Sequence, residues 1–167
     1  MKRILLALLL TQALTGLAQK PANRPVLHHP AADFTLKTPA GEDLQLSSLK
    51  GQYVIVDFWA SWCMPCRATI PHVKELYAKY HAGGLEIISV SIDDKQDAWK
   101  KAIEQEQMPW KQVIDTYTGS NQQANITGGY GIGAIPYTLL LDKEGKVIAI
   151  NPESRAMDKA LKKIFGQ

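Results

Sequence analysis

The stretch Tyr53-Val54-Ile55-Val56-Asp57-Phe58-Trp59-Ala60-Ser61-Trp62-Cys63-Met64-Pro65-Cys66 decides how this chain folds. Its first seven residues are almost all β-branched or aromatic, the composition of a central parallel strand covered on both faces. Asp57 is the one misfit in that run. Downstream, Ile70, Val73, Leu76, Tyr77 and Tyr80 recur at helical spacing until Gly83-Gly84 ends the pattern, which sets Cys63 near the first turn of the helix. Pro71 lies inside that helix and predicts a kink. Residues 85–92 form a second apolar run, so strand, helix and strand follow one another as a right-handed crossover unit.

Reading outward, 33–36 and 44–46 alternate around Thr38-Pro39-Ala40-Gly41 and predict a small hairpin laid against the main sheet, after which Ser47 opens a helical turn ending at Gly51. Ala98, Ala102 and Ile103 predict a helix between Lys95 and Glu106, and Val113-Ile114 a short strand, together an inserted helix-strand unit. Residues 116–129 are polar and glycine-bearing, a loop with a short helix around 122–126. Residues 137–141 and 147–150 read as an antiparallel pair joined by the turn Asp142-Lys143-Glu144-Gly145, and Met157, Ala160, Leu161, Ile164 and Phe165 stripe a closing helix. Trp59 and Trp110 read as core. The expected class is α/β: a central mixed sheet flanked by helices, in one domain over 32–167.

With 167 residues, 46% apolar and 21% charged, the chain is long enough for one sizeable core. Lys2 and Arg3 precede the apolar run Ile4 to Leu10, and Gly16 and Ala18 then alternate before Gln19, the layout of a cleavable secretory signal over 1–18. The apolar run is well short of the ~20 residues needed to span a membrane. If retained, it would tether the protein to a membrane. No cysteine follows it to carry a lipid. Residues 19–31, with Pro21, Pro25 and Pro30, read as an extended linker. Lys plus Arg number 19 against 16 for Asp plus Glu, and 17 to 16 without Lys2 and Arg3. That balance predicts no nucleic-acid partner. The product is expected to be an exported, soluble monomer.

Only two cysteines exist, Cys63 and Cys66. A disulfide closing so short a loop contributes roughly 2 kcal/mol in the chain-entropy model, so the pair reads as chemical rather than structural. At a helix N-terminus, free N–H groups and the helix dipole favour the Cys63 thiolate, while Cys66, one turn in, is expected to be more buried. Lowering the Cys63 pKa from about 8.5 to about 7 raises its thiolate fraction ~16-fold and cuts its nucleophilicity ~5-fold. The better explanation of such a site is leaving-group quality and redox poise. Three other readings compete. Half a zinc site lacks its other half, since the histidines are His28, His29, His72 and His81. A purely structural disulfide is disfavoured by the small loop. A peroxidatic cysteine wants Pro seven and Thr three residues before it, where this chain has Val56 and Ala60.

The run from Val56 to Cys66 resembles the strand-to-helix signature of the thioredoxin superfamily, and Gly131-Ile132-Gly133-Ala134-Ile135-Pro136 ahead of the 137–141 strand resembles its cis-proline segment. The hairpin, the inserted unit and the Leu141-Asp142-Lys143-Glu144-Gly145 turn narrow the likeness to the TlpA/ResA-like disulfide reductases over residues 32–165. The resemblance implies a thioredoxin-like fold in which Cys63 attacks a substrate disulfide and Cys66 resolves the mixed disulfide. Asp57 matches the family's buried acid, a proton acceptor for Cys66. Pro136 matches the cis-proline that leaves the backbone of Ile135 free to pair with substrate, and Trp62, Met64 and Pro65 would rim the sulfurs. No metal and no cofactor beyond the redox-active Cys63–Cys66 disulfide is implied. The partners implied are disulfide-containing exported proteins and a membrane or periplasmic thiol electron donor, with a periplasmic location. Three departures stand out: Thr69 where many members carry glutamate, Tyr137 where thioredoxins commonly have threonine, and a stretch over 119–129 that fits loosely. A thiol oxidase or disulfide isomerase is the alternative chemistry, although strong oxidants often carry histidine where Pro65 stands. A non-catalytic peptide-binding module is the alternative outside chemistry.

Overall fold

Strand β3 (Tyr53–Trp59) is buried over its last six residues and is bordered on both sides, as its apolar run requires. The computed structural model describes residues 23–116 and 126–166. Around β3 are arranged β1 (Thr35–Lys37), β2 (Asp43–Gln45), β4 (Leu85–Ser91), β5 (Lys111–Ile114), β6 (Tyr137–Leu141) and β7 (Val147–Ile150), in the order β2-β1-β5-β4-β3-β6-β7. β3, β4 and β5 run parallel, and the other pairings are antiparallel. The helices are α1 (Met64–Tyr80), α2 (Gln96–Glu106), α3 (Ile126–Gly129) and α4 (Ser154–Phe165).

The chain steps from β3 to β4 to β5 in one direction, so two right-handed crossovers place α1 and α2 on the same face of the sheet. Cys66, Ile70 and Leu76 of α1, Trp99 and Ala102 of α2, and Met157 and Leu161 of α4 share one core with Ile55, Trp59 and Ile87. Phe34, Leu46, Leu49 and Tyr130 cover the other face, against Val56, Phe58, Ile88 and Leu139. Tyr130 ties this second core to the segment just before β1, because its hydroxyl donates to the Ala32 carbonyl.

The N-terminal hairpin is a continuation of the sheet rather than a layer upon it, since Lys37 of β1 pairs with Ile114 of β5. β5 itself begins at Lys111, two residues before its apolar pair. Helix α1 passes through Pro71 to Tyr80 without a break. Pro71 is exposed, so the carbonyl one turn back that loses its donor lies on the wet side. The short helix expected around 122–126 falls largely outside the described residues. α3 starts at Ile126, where Asp115 accepts from the backbone N–H of Ile126 (3.3 Å) and of Thr127 (2.8 Å). In the 142–145 turn, Asp142 Oδ1 accepts from the N–H of Glu144 (3.0 Å) and Lys146 (2.8 Å), and Gly145 takes φ +82°.

The linker expected over 19–31 is bonded to the body from Asn23 onward. Asn23 N–H donates to Gly129 O (3.2 Å), His28 N–H to Val147 O (2.7 Å), Val147 N–H to His29 O (2.9 Å) and Ala31 N–H to Gly145 O (3.0 Å). β7 is an edge strand with unpaired backbone groups, and this segment satisfies part of that edge. The proposed signal over 1–18 lies outside the described residues. Among the described residues, no helix is long and apolar enough to cross a membrane.

Helix α4 is held by the stripe that includes Met157 and the fully buried Leu161. Leu161→Ala is expected to lower unfolding stability by about 2–5 kcal/mol and Leu161→Met by less than about 1.5 kcal/mol, measured by chemical denaturation. Equal losses from both would contradict this packing.

Candidate active site

The backbone changes from strand to helix across 60–63. Cys63 is the N-cap of α1 in extended geometry, and its Sγ accepts from the backbone N–H of Cys66 at 3.2 Å, one of the N–H groups a helix start leaves unpaired. Pro65 stands in the first turn, where its missing N–H costs nothing. Cys63 and Cys66 are joined by a disulfide of 2.00 Å with Cα atoms 5.3 Å apart.

The approach to the helix is clamped by Asp93, a residue that sequence reasoning passed over. Its carboxylate accepts from Ser61 N–H (2.9 Å), Ser61 Oγ–H (2.6 Å) and Ser91 Oγ–H (2.7 Å), tying the 60–63 loop to the end of β4. The only sequence signal was the acid's place just past a strand that runs beside β3. Arg67 in turn binds Glu106 at 2.6 Å, linking α1 to α2.

The expected contrast in exposure between the two sulfur residues is slight in this disulfide form: Cys63 is 5% exposed and Cys66 3%. What stands out to solvent is their rim, with Trp62 62% and Met64 69% exposed and Pro65 exposed beside them. The Ile135-Pro136 bond is cis, and Ile135 lies outside the ladder of β6, which begins at Tyr137.

A cleft of about 300 Å³ runs beside the helix, between α1, β6 and the turn into α4. Asp57, Thr69, Pro136 and Thr138 line it, with His72 and Glu153 on its walls. The cleft thus brings Asp57 and Pro136 together, 79 residues apart in the chain. Neither cysteine is among its lining residues. Thr69, at the position where many members of the resembled family carry glutamate, donates its hydroxyl to the Cys66 carbonyl at 2.7 Å and so is absorbed into the helix. Among the described residues, no three His, Cys, Asp or Glu side chains gather into a metal-binding group.

Burial pushes the Asp57 carboxyl up to about 6, and the hydroxyls of Ser89 (3.3 Å) and Thr138 (3.5 Å) pull the other way. Both contacts are long for O–H···O bonds, so the loss of hydration wins. Between pH 3.8 and about 6 the folded protein holds a proton that the unfolded chain has released, so stability falls as pH rises through that window. Asp57→Asn is therefore expected to stabilise the protein by about 3 kcal/mol at pH 8 and by almost nothing at pH 3, measured by denaturant titration at each pH. An equal effect at both pH values would show that the carboxyl is not held neutral by burial.

Residues 27–150 match the model of the AhpC/TSA family. Among curated relatives, the chain is 36% identical over 118 residues to the thiol-disulfide oxidoreductase ResA of Bacillus anthracis, and 34% identical over 117 residues to that of Geobacillus thermodenitrificans. These alignments cover 71% and 70% of this chain, but only 65% and 64% of the relatives' own lengths. Among solved structures, the thioredoxin domain of a thiol-disulfide oxidoreductase from Bacteroides vulgatus superposes with a TM-score of 0.75 at 29% identity, covering 84% of this chain and 98% of that one. A thiol:disulfide interchange protein from Bacteroides sp. gives 0.75 at 29% identity, covering 86% and 92%. A strand running into a helix capped by a CxxC disulfide, a cis-proline that shares a cleft with Asp57 and these likenesses converge: the chain belongs to the AhpC/TSA family and has the thioredoxin-like fold.

Proposed function

We propose that this protein is an exported thiol-disulfide oxidoreductase that reduces disulfides in other exported proteins through Cys63 and Cys66. The observation that carries the reading is the disulfide at the N-cap of α1, rimmed by the exposed apolar side chains of Trp62 and Met64 and preceded six residues earlier by the buried carboxyl of Asp57 in β3. Similarity to thiol-disulfide oxidoreductases of two kinds, curated relatives and solved structures, supports it.

In the reduced protein the helix N-terminus favours the Cys63 thiolate. Cys63 Sγ attacks one sulfur of the substrate disulfide. That S–S bond breaks, one substrate sulfur leaves as thiolate and takes a proton from solvent, and Cys63 is joined to the other. Cys66 then passes its thiol proton to the Asp57 carboxylate and attacks Cys63 Sγ, breaking the mixed disulfide, forming the intramolecular one and releasing the second substrate sulfur as a thiolate that takes a proton from solvent. Two electrons move to the substrate. A thiol donor of the membrane or periplasm returns the disulfide to dithiol. Trp62, Met64 and Pro65 supply an apolar docking rim, and the backbone of Ile135 beside Pro136 pairs with an extended substrate segment. No metal or organic cofactor takes part in this scheme. The apolar run and small residues over 1–18 support export, with the linker leading into a single domain.

Cys63→Ser is expected to abolish insulin-disulfide reduction by more than a thousandfold, while Cys66→Ala accumulates a mixed disulfide with substrate that mass spectrometry detects. Turnover that survives in Cys63→Ser would remove the enzyme reading and leave a peptide-binding module. The direction of transfer is read from the potential of the Cys63–Cys66 couple, equilibrated in glutathione and dithiothreitol buffers at pH 7. A value below roughly −230 mV is expected, as befits a reductant; one above about −180 mV would point to an oxidase or isomerase.

A further inference from the structure

Asp57 is one member of a row. Thr138 of β6 pairs with Asp57, Asp57 with Ser89 of β4, and Ser89 with Gln112 of β5. Residues paired across neighbouring strands point to the same face, so four polar side chains cross the face that α1 and α4 cover. Two residues along each strand, Ile55, Ile87, Leu140 and Ile114 occupy that face as apolar core. Buried polar side chains need partners, and the hydrogen bonds here have a forced direction. The Trp110 indole can only donate, and it donates to Ser89 Oγ at 2.8 Å. The single Ser89 proton is thereby left for Asp57 Oδ2, at 3.3 Å, while Thr138 Oγ1 donates to Oδ1 at 3.5 Å. Each carboxylate oxygen therefore has its own donor. The Gln112 amide bonds to none of these groups.

We propose that Ser89, oriented by Trp110, and Thr138 are positioning residues for Asp57: they hold its two oxygens at the inner wall of the cleft and favour the carboxylate that receives the Cys66 proton. This rests on the reading of Asp57 as proton acceptor. The direction is the one expected of donors to a charged acceptor, opposing burial. The other titratable groups that line the cleft are His72 on α1, bonded to Asp158 at 2.8 Å, and Glu153 at the start of α4. The residues paired with Asp57 on β4 and β6, like Gln112 beyond them, are uncharged.

The test is a titration of the Asp57 carboxyl by carbon-13 NMR in the full oxidised chain, alongside the pH profile of mixed-disulfide resolution with a model disulfide peptide. Ser89→Ala and Thr138→Val are each expected to raise the Asp57 midpoint by about half to one pH unit, and the lower limb of the resolution profile with it. Trp110→Phe, which leaves both Ser89 and Asp57 in place, raises it by less and decides the matter should Ser89→Ala not fold. Gln112→Leu, in the same row without a bond to the carboxyl, leaves it unmoved. An unmoved midpoint in Ser89→Ala and Trp110→Phe, or an equal shift in Gln112→Leu, overturns the proposal. Failure of the underlying reading looks different: Asp57→Asn would then resolve the mixed disulfide with the wild-type pH profile, wherever the midpoints fall.

Discussion

A carboxyl buried in the central strand of a sheet must either find donors or stay neutral, and the region around the disulfide is organised by that constraint. Asp57 sits where α1 and α4 cover the sheet, and hydration lost there raises its proton affinity more than two long hydroxyl contacts lower it. The cost is borne by the apolar cores on either side of β3. A group that changes charge near neutrality is what a proton acceptor for a thiol requires. The same group loads the fold with a pH-dependent penalty that a purely structural strand would lack.

The second organising element is the short path from β3 into α1. The Asp93 carboxylate, accepting from Ser61 and Ser91, and the Cys63 N-cap fix that path, so the disulfide sits at a tethered helix start. The sulfurs are covered while Trp62 and Met64 project. In the proposed exchange this division has a physical sense: apolar rim atoms give a partner something to bury, and a covered disulfide limits indiscriminate reaction with small thiols.

Away from the site, the two ends of the sheet are handled differently. β1 and β2 extend the sheet beyond β5 as a hairpin, and residues 28–31 lie beside Gly145 to Val147, at the start of β7. Docking that segment covers an edge that would otherwise offer unpaired backbone to another chain.

Much of this was legible in the chain itself. The β-branched run 53–59, the helical spacing of Ile70 to Tyr80 and the cysteine pair are local patterns, and local patterns determine strands, helices and the place of Cys63 at a helix start. Asp57 announced itself as a misfit for the same reason. What only the tertiary structure decided depends on pairing between distant segments. Register put Ser89 and Thr138 beside Asp57, and packing of α4 against α1 made the cleft that also reaches Pro136. The hold of Asp93 on Ser61, the absorption of Thr69 into the helix and the docking of the linker on β7 are likewise set by neighbours in space. No periodicity along the chain encodes which side chain will lie across a sheet from another, because that follows from strand order and register, which form only when the whole core is buried at once.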